Sequence, residues 1–170
     1  MTNLTAWVLL MPLLGFIILG LTGRVMSRTL ILVVALGACG LAFFFAAISF
    51  FSMLATTPVS ARFSDQVLYT WVNSGVTTGA NPLTISFGLL FDPLSATMLM
   101  IVTGVGFLIH VYSAGYMEDD PGFWRYFAYL NFFIFAMVLL VSADNFLFVP
   151  LGHAFQLLHQ VAVNKRPFLE

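Results

Sequence analysis

The residues whose types could do chemistry are few. The chain has three histidines, one cysteine, seven Asp or Glu and six Lys or Arg among 170 residues. His110 lies inside an apolar stretch, where an ionisable group is costly and often marks a proton or ion route. Its ordinary titration range near pH 6.5 suits a proton relay. The rival reading is an interfacial histidine bonded to backbone, which its position near the end of the stretch favours. His153 and His159 are six residues apart, about 600° around a helix, so a shared metal ion does not fit. Glu118-Asp119-Asp120 precedes Pro121-Gly122. Successive acids point apart and make a poor cation site, whereas carboxylates favour helix N-termini. Asp144-Asn145 reads either as a helix stop or as the start of an internal polar path. Arg125 is the single charge in its apolar run. Cys39, alone in an apolar run, excludes a disulfide framework and a Cys-rich metal site.

Something must position these residues, and the composition says what. The sequence is 61% hydrophobic and only 8% charged, against roughly 25% charged in soluble domains. A globule of this size would expose large apolar patches. An ordinary soluble enzyme and a disordered tail are excluded. A nucleic-acid binder is excluded as well, since the basic and acidic residues balance. An integral membrane protein remains.

Four runs satisfy the roughly 20 apolar residues that a membrane helix needs. They are Leu4 to Leu21, Thr29 to Ala55, Leu94 to Ala114 and Phe123 to Ala143. A fifth, Phe146 to Val163, carries His153, Gln156, His159 and Gln160 and makes a poor span. The segment after Gly152 reads as a surface or interfacial tail, and 146–170 as a tail with a possible partial fifth helix. The first run lacks a basic n-region and a small-residue cleavage site, so it reads as a retained helix. Arg24, Arg28 and Arg125 fall on one side of the membrane if the spans alternate, and Arg62 on the other. The positive-inside rule then puts the N-terminus outside and loop one in the cytoplasm. Tyr112, Tyr116, Trp124, Tyr126 and Tyr129 read as headgroup-layer anchors.

Between spans two and three, Leu83 to Leu89 alternates at period two and Val67 to Val72 is rich in β-formers, with turn residues between them. This predicts an extracytoplasmic β-hairpin. In span two, Ala38, Ala42 and Ala46 recur every four residues, a spacing that suits a close helix seam. Phe43, Phe44 and Phe45 cannot share one face, so at least one should meet lipid or a neighbour. The predicted fold class is thus all-α, polytopic, with four spans, a doubtful fifth and that hairpin. The organisation is 1–55 helices one and two, 56–92 hairpin, 93–145 helices three and four, and 146–170 tail. No phosphate loop, dinucleotide fingerprint or Ser–His–Asp signature is present. On these grounds a transporter component and a structural membrane subunit both stay open.

From Asp92 onward the sequence carries more specific text. Phe91-Asp92-Pro93-Leu94-Ser95 is followed by Val102-Thr103-Gly104-Val105-Gly106-Phe107-Leu108-Ile109-His110-Val111-Tyr112-Ser113 and by Gly115-Tyr116-Met117-Glu118. Then come Arg125-Tyr126-Phe127-Ala128-Tyr129-Leu130-Asn131 and Ala143-Asp144-Asn145-Phe146-Leu147. These runs closely resemble the chain L subunit of bacterial NADH-quinone oxidoreductase, respiratory complex I, called subunit five in mitochondria. The resemblance covers roughly residues 85 to 152, and the first 84 residues match in layout.

The resemblance implies an antiporter-like membrane-arm subunit that takes part in proton translocation coupled to quinone reduction. It implies other membrane-arm subunits and the lipid bilayer as partners, a bacterial inner membrane as location, and no cofactor in this chain. NADH, flavin, iron–sulfur clusters and quinone belong to the parent complex. The family continues after Gly152 with Trp-Glu-Gly, whose glutamate handles protons; here the aligned residues are His153 and Ala154. Ala154 cannot carry a proton, so no catalytic, cofactor or metal residue is assigned. His110, Arg125 and Asp144 remain as candidate proton-path or structural polar residues. The departure after Gly152 implies an early break by frameshift, gene fragmentation or gene-model error, and a chain inactive alone. Two rivals stand beside this reading: a subunit of a cation/proton antiporter, and a non-catalytic membrane assembly protein.

Overall fold

The computed structural model describes residues 2–56, 64–73, 84–118, 120–143 and 148–164. Helix α1 runs Thr2–Thr22 and α2 Arg28–Ala55; strands β1, Ser64–Asn73, and β2, Thr84–Phe91, follow. Then come α3, Pro93–Tyr116, α4, Phe123–Ser142, and α5, Phe148–Asn164. The first four helices are long and apolar enough to cross a membrane.

Local chemistry sets the helix ends. Ser27 caps α2 by accepting from the Leu30 N–H at 3.4 Å. Asp92 caps α3, its carboxylate accepting from the Ser95 N–H at 2.6 Å, and Pro93 takes the first position. Such a residue satisfies a donor the helix cannot satisfy itself, and proline loses nothing there. At the start of α4, Gly122 offers no side-chain cap. Asp120 instead accepts the Gly122 N–H through its carboxylate, and its carbonyl accepts from Phe123.

The helices pack as a ring of neighbours. Helix α1 lies beside α2 and α4, α2 beside α3, and α3 beside α4. The inward face of α2 is Ile31, Ala35, Cys39, Ala42, Ala46, Ser49 and Met53, a spacing of three and four that forms one stripe. Ala42 and Ala46 of the small-residue series are buried, and Ala38 is half-buried. Phe43 stacks on Phe107 of α3 with centroids 6.5 Å apart, Phe45 packs against the core, and Phe44 is 57% exposed. Backbone direction thus divides the three phenylalanines between a helix neighbour, the core and the outside.

The expected fold class needs correction. The label all-α fails, because β1 and β2 pair antiparallel from Ser64 opposite Phe91 to Asn73 opposite Thr84. The register shifts between Val67 and Tyr69 and between Thr70 and Val72. Nor does this pair stand apart as an outer hairpin. Leu89 is fully buried and bridges Ala143 at the end of α4, and Phe91 is 4% exposed. The apolar run Leu89-Leu90-Phe91 leads straight into the Asp92 cap, which draws the end of β2 into the helical body. The expected turn residues lie outside the described residues.

The tail contains a helix, α5, that packs back along α4 with part of its length exposed. Phe155 meets Phe132 and Phe135 edge-on or tilted, at 5.7 and 6.0 Å between centroids. His159 meets Tyr129 and Phe133. The Gln156 amide reaches the Met137 sulfur. These pairs run in opposite senses along the two helices, so the packing is antiparallel.

Candidate functional site

Small residues bring the four spanning helices together at one level. A Cβ built on Gly15 of α1 would lie 2.7 Å from the Ala38 Cβ of α2 and 2.9 Å from Asn131 Oδ1 of α4. A Cβ on Gly106 of α3 would meet Ile134 of α4 and lie 3.8 Å from Cys39 Sγ of α2. Gly15, Ala38, Cys39, Gly106 and Asn131 therefore share a depth near the middle of the spans.

A polar stripe on α3 passes through this level. Ser95, Thr103, His110 and Ser113 are all buried. Thr103 donates to its own helix at Leu99 O, 2.7 Å, and Cys39 Sγ lies 4.0 Å from Thr103 O. Ser113 Oγ and Tyr126 Oη are 2.9 Å apart.

His110 is fully buried, about 9 Å of helix before the end of α3. Its ring faces Phe127 at 6.0 Å. Nδ1 lies 2.8 Å from Gly106 O. A carbonyl only accepts, so Nδ1 carries the proton and Nε2 of the neutral ring is an acceptor. Nε2 is buried without a hydrogen-bond partner. Asn131 repeats the arrangement. Its amide donates to Phe127 O at 3.0 Å, while Oδ1 is buried and unpartnered. Both atoms are acceptors, so neither can satisfy the other.

The other expected residues lie elsewhere. Arg125 is exposed at the start of α4, its guanidinium 5.1 Å from the Trp124 ring centroid. Asp144 lies outside the described residues. Ala154 and His153 are exposed on α5. Among the described residues no group of three His, Cys, Asp or Glu could hold a metal ion. Asn131 is the polar residue that sequence reasoning passed over. Its signal was available: it is the one amide within the apolar run from Phe127 to Val141.

Comparison with known proteins adds identity to this geometry. The family described as NADH-Ubiquinone oxidoreductase (complex I), chain 5 N-terminus, matches residues 77–127. NADH-quinone oxidoreductase subunit L of Escherichia coli (strain K12) is 40% identical over 153 residues, covering 88% of this chain and 23% of that protein. The subunit L of Pseudomonas aeruginosa is 39% identical over 150 residues, with the same two shares. NADH-ubiquinone oxidoreductase chain 5 of Dictyostelium citrinum is 36% identical over 139 residues, 81% of this chain and 19% of that protein. The chain thus spans less than a quarter of the length of these relatives. Over the matched residues it belongs to the subunit L and chain 5 family of NADH-quinone oxidoreductases, as the counterpart of its N-terminal part.

Proposed function

We propose that the chain serves as part of an antiporter-like membrane-arm subunit of NADH-quinone oxidoreductase, taking part in proton translocation coupled to quinone reduction. The observation that carries this is the 40% identity to a subunit L across 88% of the chain. In this reading the redox groups sit in other subunits, and other membrane-arm subunits are the partners. The membrane is a bacterial inner membrane with the N-terminus outside. The placement of Arg24 and Arg28 on one loop and of Arg125 near the next loop on that side supports the orientation. The layout of 1–55, 56–92, 93–145 and 146–170 as helix pair, loop, helix pair and tail belongs to the same reading.

His110 is the candidate polar residue best supported for a role within the membrane, because it is fully buried with one ring nitrogen unpartnered. The exposure of Arg125 beside Trp124 suits a headgroup anchor. Asp144 is retained on the sequence alone. The spans contain no Asp, Glu or Lys, which favours the second reading of a non-catalytic assembly protein for the chain taken by itself. A carboxylate in a membrane can pass a proton; an alanine or amide cannot.

The test has two parts. In proteoliposomes the purified chain should give no uncoupler-sensitive proton flux above an empty control; flux would overturn the claim of inactivity alone. Expressed with the membrane-arm subunits of a host complex, it should co-purify with them. Co-purification with cation-antiporter subunits instead would reject the assignment.

A further inference from the structure

Three arginines from two loops gather at one end of the helical body. The loop joining α1 to α2 is fixed by backbone bonds from Gly23 to Leu19 O, 2.9 Å, and from Val25 to Thr22 O, 3.0 Å. It leans on the start of α4, since a Cβ built on Gly23 would lie 3.0 Å from the Trp124 ring. Arg24, the next residue, is exposed. The Arg28 guanidinium carbon lies 5.9 Å from the Phe123 ring centroid, and that of Arg125 lies 5.1 Å from the Trp124 centroid. Both side chains are exposed, so guanidiniums resting on rings keep N–H donors for an outside partner. Among the described residues no carboxylate forms an ion pair with any of the three. Glu118 and Asp120, the described acids of the neighbouring loop, are exposed, and the Asp120 carboxylate accepts the Gly122 N–H.

Charge, level and the neighbouring side chains identify the partner. Arg28 stands in the first turn of α2 and Arg125 in that of α4, and neither turn holds an acid. Cations there oppose the helix dipole, and a bound anion relieves both. Guanidiniums take phosphate through paired N–H donors. The level is that of the headgroups, because spanning helices α1, α2 and α4 end or begin there. Leu21 and Val25, within three residues of Arg24, are 80% and 86% exposed. Apolar side chains thus stand beside the cations, as acyl chains stand beside a phosphate. We propose that Arg24, Arg28 and Arg125 form a binding site for the headgroup of one anionic phospholipid. Basic pockets between membrane helices bind such headgroups. Charge complementarity and the apolar flank carry the assignment. It holds whichever side of the membrane this end faces, so it is independent of the proton-translocation reading.

Lipid selectivity is the readout. The chain, purified in a mild maltoside detergent, is titrated with dioleoylphosphatidylglycerol or dioleoylphosphatidylcholine and weighed by native mass spectrometry. The wild type should take up one phosphatidylglycerol in preference to the phosphatidylcholine with the same acyl chains. Arg24→Gln, Arg28→Gln and Arg125→Gln should each weaken that uptake about fivefold, the worth of one basic residue at an anionic lipid surface. The triple variant should show no preference. Arg62→Gln removes a cation from the loop between spans two and three and should bind like the wild type. Slow maleimide labelling of the buried Cys39 shows which variants are folded, and the single variants carry the test if the triple one labels fast. Glycerol phosphate or a hexaglutamate peptide, at the concentration of the lipid, should leave the bound lipid in place. Displacement by either would overturn the proposal, since a free phosphate or a protein carboxylate would then be the preferred occupant. So would equal uptake of the two lipids, single variants that bind like the wild type, or a loss in Arg62→Gln as large as theirs.

Discussion

Gly15 has no side chain where Asn131 needs the room. The Asn131 oxygen lies 2.9 Å from the place a Cβ would occupy, and Ala38 closes the other side at 2.7 Å. Gly15→Ala should therefore destabilise the four-helix body by about 1–3 kcal/mol, the usual cost of overpacking. Cys39 is the only cysteine and fully buried, so the rate of its maleimide labelling in micelles reads that loss directly. The variant should label faster than the wild type. His110 should behave differently. His110→Leu removes one hydrogen bond and one buried acceptor that has no partner. A bond is worth about 0.5–1.5 kcal/mol net, and an unpartnered group costs a similar amount. The unfolding midpoint should change little, so that any loss of function in an assembled complex would be chemical in origin. His110 was legible in the sequence as an ionisable residue, but its burial was not, because its distance from the helix end suggested a surface. What buries it is Phe127 on α4, a partner the sequence gives no means of assigning.

At the scale of elements, the apolar runs and the helices nearly coincide. Thr29 to Ala55 became Arg28–Ala55, and Phe123 to Ala143 became Phe123–Ser142. Length and hydropathy are properties of one segment, so one sequence suffices to read them. The packing of α5 is a property of two segments. Its polar residues made it look like a surface helix, yet Gln156 and His159 turn toward Met137, Phe133 and Tyr129. The burial at the end of β2 is likewise a property of two segments, since Leu89 bridges Ala143. Two variants test these joints. Asp92→Ala should lower stability by about 1 kcal/mol through loss of the α3 cap, measured by denaturation in micelles. Gly152→Leu should push α5 away, because a Cβ at Gly152 already lies 3.2 Å from the Leu140 backbone. With Cys39→Ser as background, Phe133→Cys and His159→Cys should be bridged by a short bifunctional maleimide. Adding Gly152→Leu should abolish that bridge.

Among the described residues, large apolar side chains lie on the outside as well as in the core, and several polar ones are buried. Phe51, Leu94, Leu108 and Val33 are each more than half exposed, while Asn131, Thr103 and His110 are fully buried. In water such a surface would be an aggregation liability; in a bilayer it is the contact layer. Membranes bearing the chain should keep it in the pellet after an alkaline wash that strips peripheral proteins. Release into the supernatant would contradict the reading of four spans.

The bridge between Leu89 and Ala143 carries a consequence for the order of assembly. The two residues lie on either side of both α3 and α4 in the chain. The strand end can find its partner only after α3 has crossed, the chain has turned at Pro121-Gly122, and α4 has crossed back. Long-range pairings of this kind are slow to form, because the intervening loop must close first. Leu89 and Ala143 should therefore meet late, after α3 and α4 have packed on each other through Gly106 and Ile134.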